Sequence, residues 1–306
     1  MPAQGTDPGP SGGDVMQPNS VYLAIAPNIL RKTVQDLSRM DFDLDLIPPQ
    51  THQEMLDFSV AYGNNGSVPG LSMCAYPQFL HNVLQHQSTG TLAALPDSLP
   101  PMRRELTALG MAEPSRHFRV VCFVPFVIAA STGLNPPVED WEDLCRPEIA
   151  EHVAVPPHDT PMPDLFDTMM RTLYGQRAEA VIAAKNTDYT PLDINKRIDS
   201  GEFLAGLNIP AFSRTYREGN GRMVWPRSGA WAVPLMVTIR RDASPDATRF
   251  LHYLLSNEYQ TYLADSGCLV PVVEGIPWFT EMADNNGRLQ WPGWDALAAL
   301  GRPNAE

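Results

Sequence analysis

The chain has no apolar run approaching the ~20 residues that cross a bilayer as a helix, so no membrane-embedded segment is expected. Basic residues are scarce, with 22 Lys and Arg against 35 Asp and Glu and a net charge of −13. A nucleic-acid partner needs a basic face that displaces counterions from phosphates, and no such stripe is visible. Cysteine is rare: four residues, at positions 74, 122, 145 and 268, with no C-x-x-C pair. All four are read as free thiols behaving as small hydrophobes. Of the seven histidines, His81 and His86 stand five apart and point to different faces of a helix. His158-Asp159 is the one His–acid pair at a strand end. Neither a metal site nor a cofactor site follows from this spacing. G-x-S-x-G, G-x-x-x-x-G-K-[ST], H-E-x-x-H and G-x-G-x-x-G are all missing, so no enzyme class is indicated. Residues 1–18 are rich in Pro, Gly and Asp. They lack the basic start, apolar core and small-residue cleavage site of a signal peptide and are read as a disordered tail.

What is present is a globular composition, 43% hydrophobic and 19% charged, in a chain of 306 residues. That is enough to bury a sizeable core. Val21 to Ala26 reads as a buried strand. Pro27-Asn28 turns it into a helix with Ile29, Leu30, Val34 and Leu37 as its apolar stripe. Phe42 to Ile47 is a second strand. Thr51 with Glu54 three residues on is a capping box opening a second helix. Leu71 to Ala75 is a third strand, and Pro77 opens a third helix. Strand and helix thus alternate, which predicts a parallel sheet with right-handed crossovers. HFRVVCFVPFVIAA, 117–130, reads as two strands broken at Pro125. Trp141 and Leu144 mark the buried face of a short helix, and further helices are expected over 162–174, 176–186 and 192–198.

Residues 221–271 organise the rest. Met223-Val224-Trp225 is a short strand stopped by Pro226, Ser228-Gly229 is a turn, and 230–239 is a buried strand closed by Arg240-Arg241. Ser244-Pro245 caps and opens a helix whose face carries Phe250, Leu251, Leu254 and Leu255. A second helix starts at Glu258, and Gly267-Cys268-Leu269-Val270-Pro271 follows. The remainder, 278–306, reads as a helix or two packed on the first lobe.

This ordered run resembles the C-terminal signature of ABC-transporter solute-binding proteins, in the branch that binds ferric ion, polyamines, thiamine or oxyanions. The 117–133 stretch is similar to the family's x-V-P-Y-V-I-x-Y-N-T, 135–146 to its P-P-x-S-W-x-D-L, and Ser200-Gly201-Glu202-Phe203 to its S-G-E-Y. The resemblance covers roughly residues 20–275. It implies an α/β fold of the two-lobe type II periplasmic-binding-protein kind, with two hinge crossovers near 128–131 and 227–232. The first lobe would be discontinuous, 19–128 plus 232–306, and the second would be 129–231. It implies a solute-binding protein that closes on a small molecule or ion, acts as a monomer and partners an ABC permease. Periplasmic residence follows from the family, and cytoplasmic residence from the missing leader. The alternative is a cytoplasmic enzyme or ligand-sensing module on the same fold. Ferric-binding members place adjacent tyrosines just before the returning strand. Here Trp225-Pro226-Arg227-Ser228-Gly229 stands there, and no Tyr-Tyr pair occurs anywhere, which speaks against ferric ion.

In open α/β sheets, ligands sit at strand ends, where free amides and helix N-termini converge. The candidates are therefore Asn28, Tyr76, Thr132, Asp159, Thr160, Phe212, Ser228 and Trp231. Ser228 and Trp231 would act from the return turn, the Trp231 ring stacking on an organic ligand. Thr132 would face the same space from the other crossover. Tyr76 would approach from the first lobe, and Thr160 and Phe212 from the second. Tyr62 is a further aromatic for the same cleft. Taken singly, such turn residues mostly cap helices, and such aromatics mostly pack cores.

Overall fold

Every residue of β1 (Ser20–Leu23) and of β3 (Leu71–Cys74) is buried. That explains apolar runs without alternation, because strands covered on both faces need no polar side. The computed structural model describes residues 16–63 and 68–302. β1 pairs in parallel with both β2 (Asp45–Ile47) and β3, as the alternating order predicts. The connecting helices are Pro27–Leu37 and His52–Ala61. Thr51 caps the second of these by accepting the Glu54 amide at 3.1 Å, and the Glu54 carboxylate accepts the Gln50 amide at 2.7 Å. The stripe expected on the first helix is corrected at Val34, which is exposed. Its buried face carries Thr33 and Asp36 instead, each partnered: Thr33 Oγ1 lies 2.7 Å from the Tyr259 hydroxyl, and Asp36 accepts from Tyr253 and Lys32. Paired polar groups can be buried at little cost.

The expected break at Pro125 is absent. β4 (Arg119–Ser131) is a single strand of 13 residues. β5 (Val153–Ala154), β6 (Ala205–Asn208), β7 (Gly221–Val224), β8 (Ala230–Ile239), β9 (Val270–Pro271) and β10 (Leu289–Gln290) complete the strands among the described residues. β4 pairs antiparallel with β8 from Arg119↔Val237 to Phe126↔Trp231. It also meets β9 as far as Phe123, β6 from Val127 and β7 from Ile128. Residues 124–126 fall between β9 and β6, where that edge has no ladder partner, so a residue without an N–H fits there.

The two groups of strands share β4, which pairs with β8 and β9 up to Phe126 and with β6 and β7 from Val127 onward. Hydrogen bonding runs β2-β1-β3-β8-β4-β6-β5 without interruption, with β10 on β8 and both β7 and β9 on β4. The first crossover is a change of neighbours within one strand, at Phe126–Ile128. The second is the connection from Val224 to Ala230, where the chain leaves β7 and returns as β8.

Between β5 and β6 lie the helices Met162–Tyr174, Glu179–Ala184 and Pro191–Asp199. Ser244 and Ser256 cap Pro245–Leu254 and Asn257–Gly267 by accepting amides two and three residues on. The C-terminal helices Thr280–Asp284 and Trp294–Leu300 are present as expected, but β10 between them had no counterpart in the sequence reading. The predicted tail lies, up to residue 15, outside the described residues. Its last part belongs to the fold: the Met16 carbonyl accepts from Arg240 at 2.7 Å and the Pro18 carbonyl from the Ser244 amide at 2.9 Å. All four cysteines are free, Cys145 half-buried and the others buried.

Candidate functional site

The return turn does not offer itself to a ligand. Trp231 is 1% exposed, and its ring is stacked on Trp141 with centroids 3.8 Å apart and planes at 15°. Its indole N–H donates to Gln290 Oε1 at 3.0 Å, and Trp141 donates to the Gly229 carbonyl at 2.9 Å. The Ser228 hydroxyl donates to Asp140 Oδ1 at 2.5 Å, and its amide to Oδ2 at 3.1 Å. Stacking of Trp231 on a ligand is thus corrected: another indole occupies the ring face, supplied by a segment far away in sequence. Thr132 is spent similarly. Its hydroxyl donates to the Asn220 carbonyl at 3.1 Å, its amide to the same carbonyl at 2.7 Å, and it lies past the far end of the β4–β7 ladder. Tyr62 is interior, its hydroxyl 2.6 Å from Thr238 Oγ1.

A different pair of elements brings unpartnered groups together. Tyr76 follows β3 and stands at the N-cap position of helix Pro77–His86, with no capping hydrogen bond from its side chain. Among the described residues its hydroxyl meets only the Met55 thioether, at 4.0 Å. Burial, the Cys74 thiol and the Asp159 carboxylate push the Tyr76 phenol above its ordinary value. It therefore stays protonated at neutral pH, an O–H donor without a strong acceptor. Asp159 belongs to the Val155–Pro161 loop. That loop follows β5 and leads into helix Met162–Tyr174. Asp159 and His158 are exposed there, and no hydrogen bond or ion pair engages the Asp159 carboxylate among the described residues.

Thr160 is partly committed, donating to the Pro157 carbonyl at 2.6 Å and accepting the Met162 amide at 3.4 Å. Phe212 is half-buried in the 3-10 turn Pro210–Thr215, its carbonyl bound by Asn195 at 2.7 Å. The side chain of Asn28 lies outside the described residues. Sequence reasoning missed Met55 and Tyr22, which line the Tyr76 side. Tyr22 stacks on Phe58 at 3.6 Å and donates to the Glu54 carbonyl at 3.3 Å. Their signal was available, since the capped helix after β2 begins on the side of the parallel strands where β1 and β3 end. A recess of about 400 Å³ lies elsewhere, walled by Leu95, Pro100, Pro114, Phe118 and Arg119.

The family model for bacterial extracellular solute-binding proteins matches residues 67–299, and the chain belongs to that family. It is a solute-binding protein, and its fold is that of the two-lobed binding proteins. The apo ferric ion-binding protein A of Pasteurella haemolytica is similar, at 14% identity and a TM-score of 0.73, covering 92% of this chain and 93% of that one. The Campylobacter jejuni ferric binding protein gives 14% and 0.70, over 92% and 95%. The substrate binding protein of an ABC transporter from Agrobacterium tumefaciens gives 15% and 0.66, over 94% and 90%. No curated protein matches the chain in sequence.

Proposed function

We propose that this protein captures a small ligand between Tyr76 and Asp159, closing one lobe on the other, and delivers it to an ABC permease. The lobes are 19–128 with 232–306, and 129–231. The neighbour change in β4 at Phe126–Ile128 supports that division. The observation that carries the reading is a pair of side chains without a strong partner among the described residues, the Tyr76 phenol and the exposed Asp159 carboxylate, coming from different parts of the fold with the Asp159 charge acting on the phenol. A ligand that accepts from Tyr76 and donates to Asp159 contacts both lobes at once, and so favours the closed state by its differential affinity. This calls for a small organic molecule carrying an acceptor beside an amine or other donor. Thr160 and Phe212 would complete the wall on the Asp159 side.

The permease partner is inferred from the Agrobacterium relative, the substrate binding protein of an ABC transporter, and from a Clostridium perfringens relative that is itself an ABC transporter protein. It is taken from them with the fold. The ferric ion of the other relatives is not taken over. Among the described residues no three His, Cys, Asp or Glu side chains gather to hold a metal, and a phenol held protonated is a poor iron ligand.

The test is native mass spectrometry of freshly purified protein, followed by a thermal-shift screen of amines, vitamins, oxyanions and metals. The expected result is a shift with an amine-bearing compound that Asp159→Asn and Tyr76→Phe each weaken. A hit unaffected by both substitutions would move the site elsewhere.

A further inference from the structure

The C-terminal strand β10 touches the return segment along its whole length. Leu289 and Gln290 pair in parallel with Ala230 and Trp231. The Arg288 carbonyl accepts from the Trp225 indole at 2.9 Å and from the Ala230 amide at 3.1 Å, and Arg288 Nη1 donates to the Arg227 carbonyl at 3.0 Å. Gly229 has φ +116°, and a Cβ there would stand 2.8 Å from the Leu289 carbonyl carbon, so only glycine lets the two backbones approach this closely. Beyond β10 the segment is anchored on the first lobe. Trp291 meets Phe123 edge-on at 5.6 Å, Trp294 meets Phe118 at 5.3 Å, and the Trp294 indole donates to the Ala112 carbonyl at 2.8 Å. On the other side of the turn stands Trp141, fully buried, with Asp140 holding Ser228 and Glu139 paired to Arg227 at 3.1 Å.

We propose that β10 is a third element of the hinge, and that Gln290 is a positioning residue for closure. Its side-chain oxygen fixes the Trp231 ring, the Trp231 ring fixes Trp141 by stacking, and Trp141 carries the 129–231 lobe. The angle between lobes is thereby set from outside the two crossovers. This rests on the lobe division proposed above, but its test uses the unliganded protein, so a failed ligand search leaves it standing.

The experiment is hydrogen exchange and small-angle scattering on Gln290→Leu and Gln290→Glu. Leucine keeps the volume and removes the acceptor, while glutamate keeps an acceptor. Loss of one part-buried hydrogen bond should speed exchange of 139–145 and 227–231 by about tenfold in Gln290→Leu and enlarge the radius of gyration. Gln290→Glu should restore both. Unchanged exchange and radius in Gln290→Leu, or a rise spread evenly over the chain, or no recovery with glutamate, would overturn the proposal and leave Gln290 a packing residue.

Discussion

Two segments of this protein look alike in sequence and differ in structure. The return turn, Pro226–Trp231, and the loop 157–161 each offer a small hydroxyl residue and a proline at a strand end. In the first, every polar group named above has a partner: Ser228 with Asp140, Trp231 with Gln290, and the Gly229 carbonyl with Trp141. In the second, among the described residues, Asp159 stands without one, and the hydroxyl of Tyr76, on which its charge acts, meets only a thioether. Buried polar groups are normally satisfied within the protein. Residue type alone therefore does not separate the two segments; the partners that each side chain finds do.

That contrast is open to attack from both ends. The largest effect is expected at Trp231→Ala, which removes a fully buried indole and its stack and should lower unfolding stability by about 3–5 kcal/mol in a denaturant titration. Retained stability with lost ligand binding would return the turn to the site. Tyr76→Phe should do the reverse. It should melt like the parent and bind the screened compound about ten- to a hundredfold more weakly by calorimetry, the worth of one buried hydrogen bond. Ser228→Ala removes one donor to an exposed cap and should cost about 1 kcal/mol of stability, with ligand affinity unmoved.

The smallest effect concerns a partnered acid remote from both segments. Burial opposes ionisation of Asp36, but hydrogen bonds from Lys32 and Tyr253 and the charges of Lys32 and Arg39 outweigh it and hold the carboxyl below its ordinary 3.8. A depressed folded pKa gives stability that is present above the ordinary value and lost as pH falls through the lowered one. Asp36→Asn should therefore flatten the stability curve below about pH 4 and leave its shape at neutral pH unchanged. Identical acid limbs in parent and variant would show the pair to be idle.

Local rules read well from the chain. Thr51 with Glu54, Ser244 before Pro245 and Ser256 before Asn257 all cap helices, because capping is decided within a few residues. Helix Met162–Tyr174 has the bounds its pattern predicts. What failed depended on distant partners. Pro125 looked like a break, but sits in a continuous strand where one edge is unpaired. β10 has only two residues and no pattern of its own; Ala230 and Trp231 make it a strand. Val34 was placed inside on periodicity, but the tyrosines at 253 and 259 favour Thr33 and Asp36 at that interface. Of the candidate site, Tyr76, Asp159 and Thr160 were legible as strand-end residues. Trp231 was misread because nothing near it in sequence announces Trp141.

The pairing of β3 with β8, from Leu71↔Ile239 to Cys74↔Met236, has a consequence for the order of assembly. β1, β2 and β3 are made first on the ribosome, yet the edge of β3 is filled only by a strand from residues 230–239. The stretch 132–224 lies between and closes its contacts over shorter separations, as β5 on β6 and helix Pro191–Asp199 beside them do. Non-local pairing carries a loop-closure cost before it gains contacts. The later-made part is therefore expected to gather first and the earlier-made part to wait for its last strand. Pulse-labelled exchange during refolding should protect the amides of 191–208 before those of 71–74.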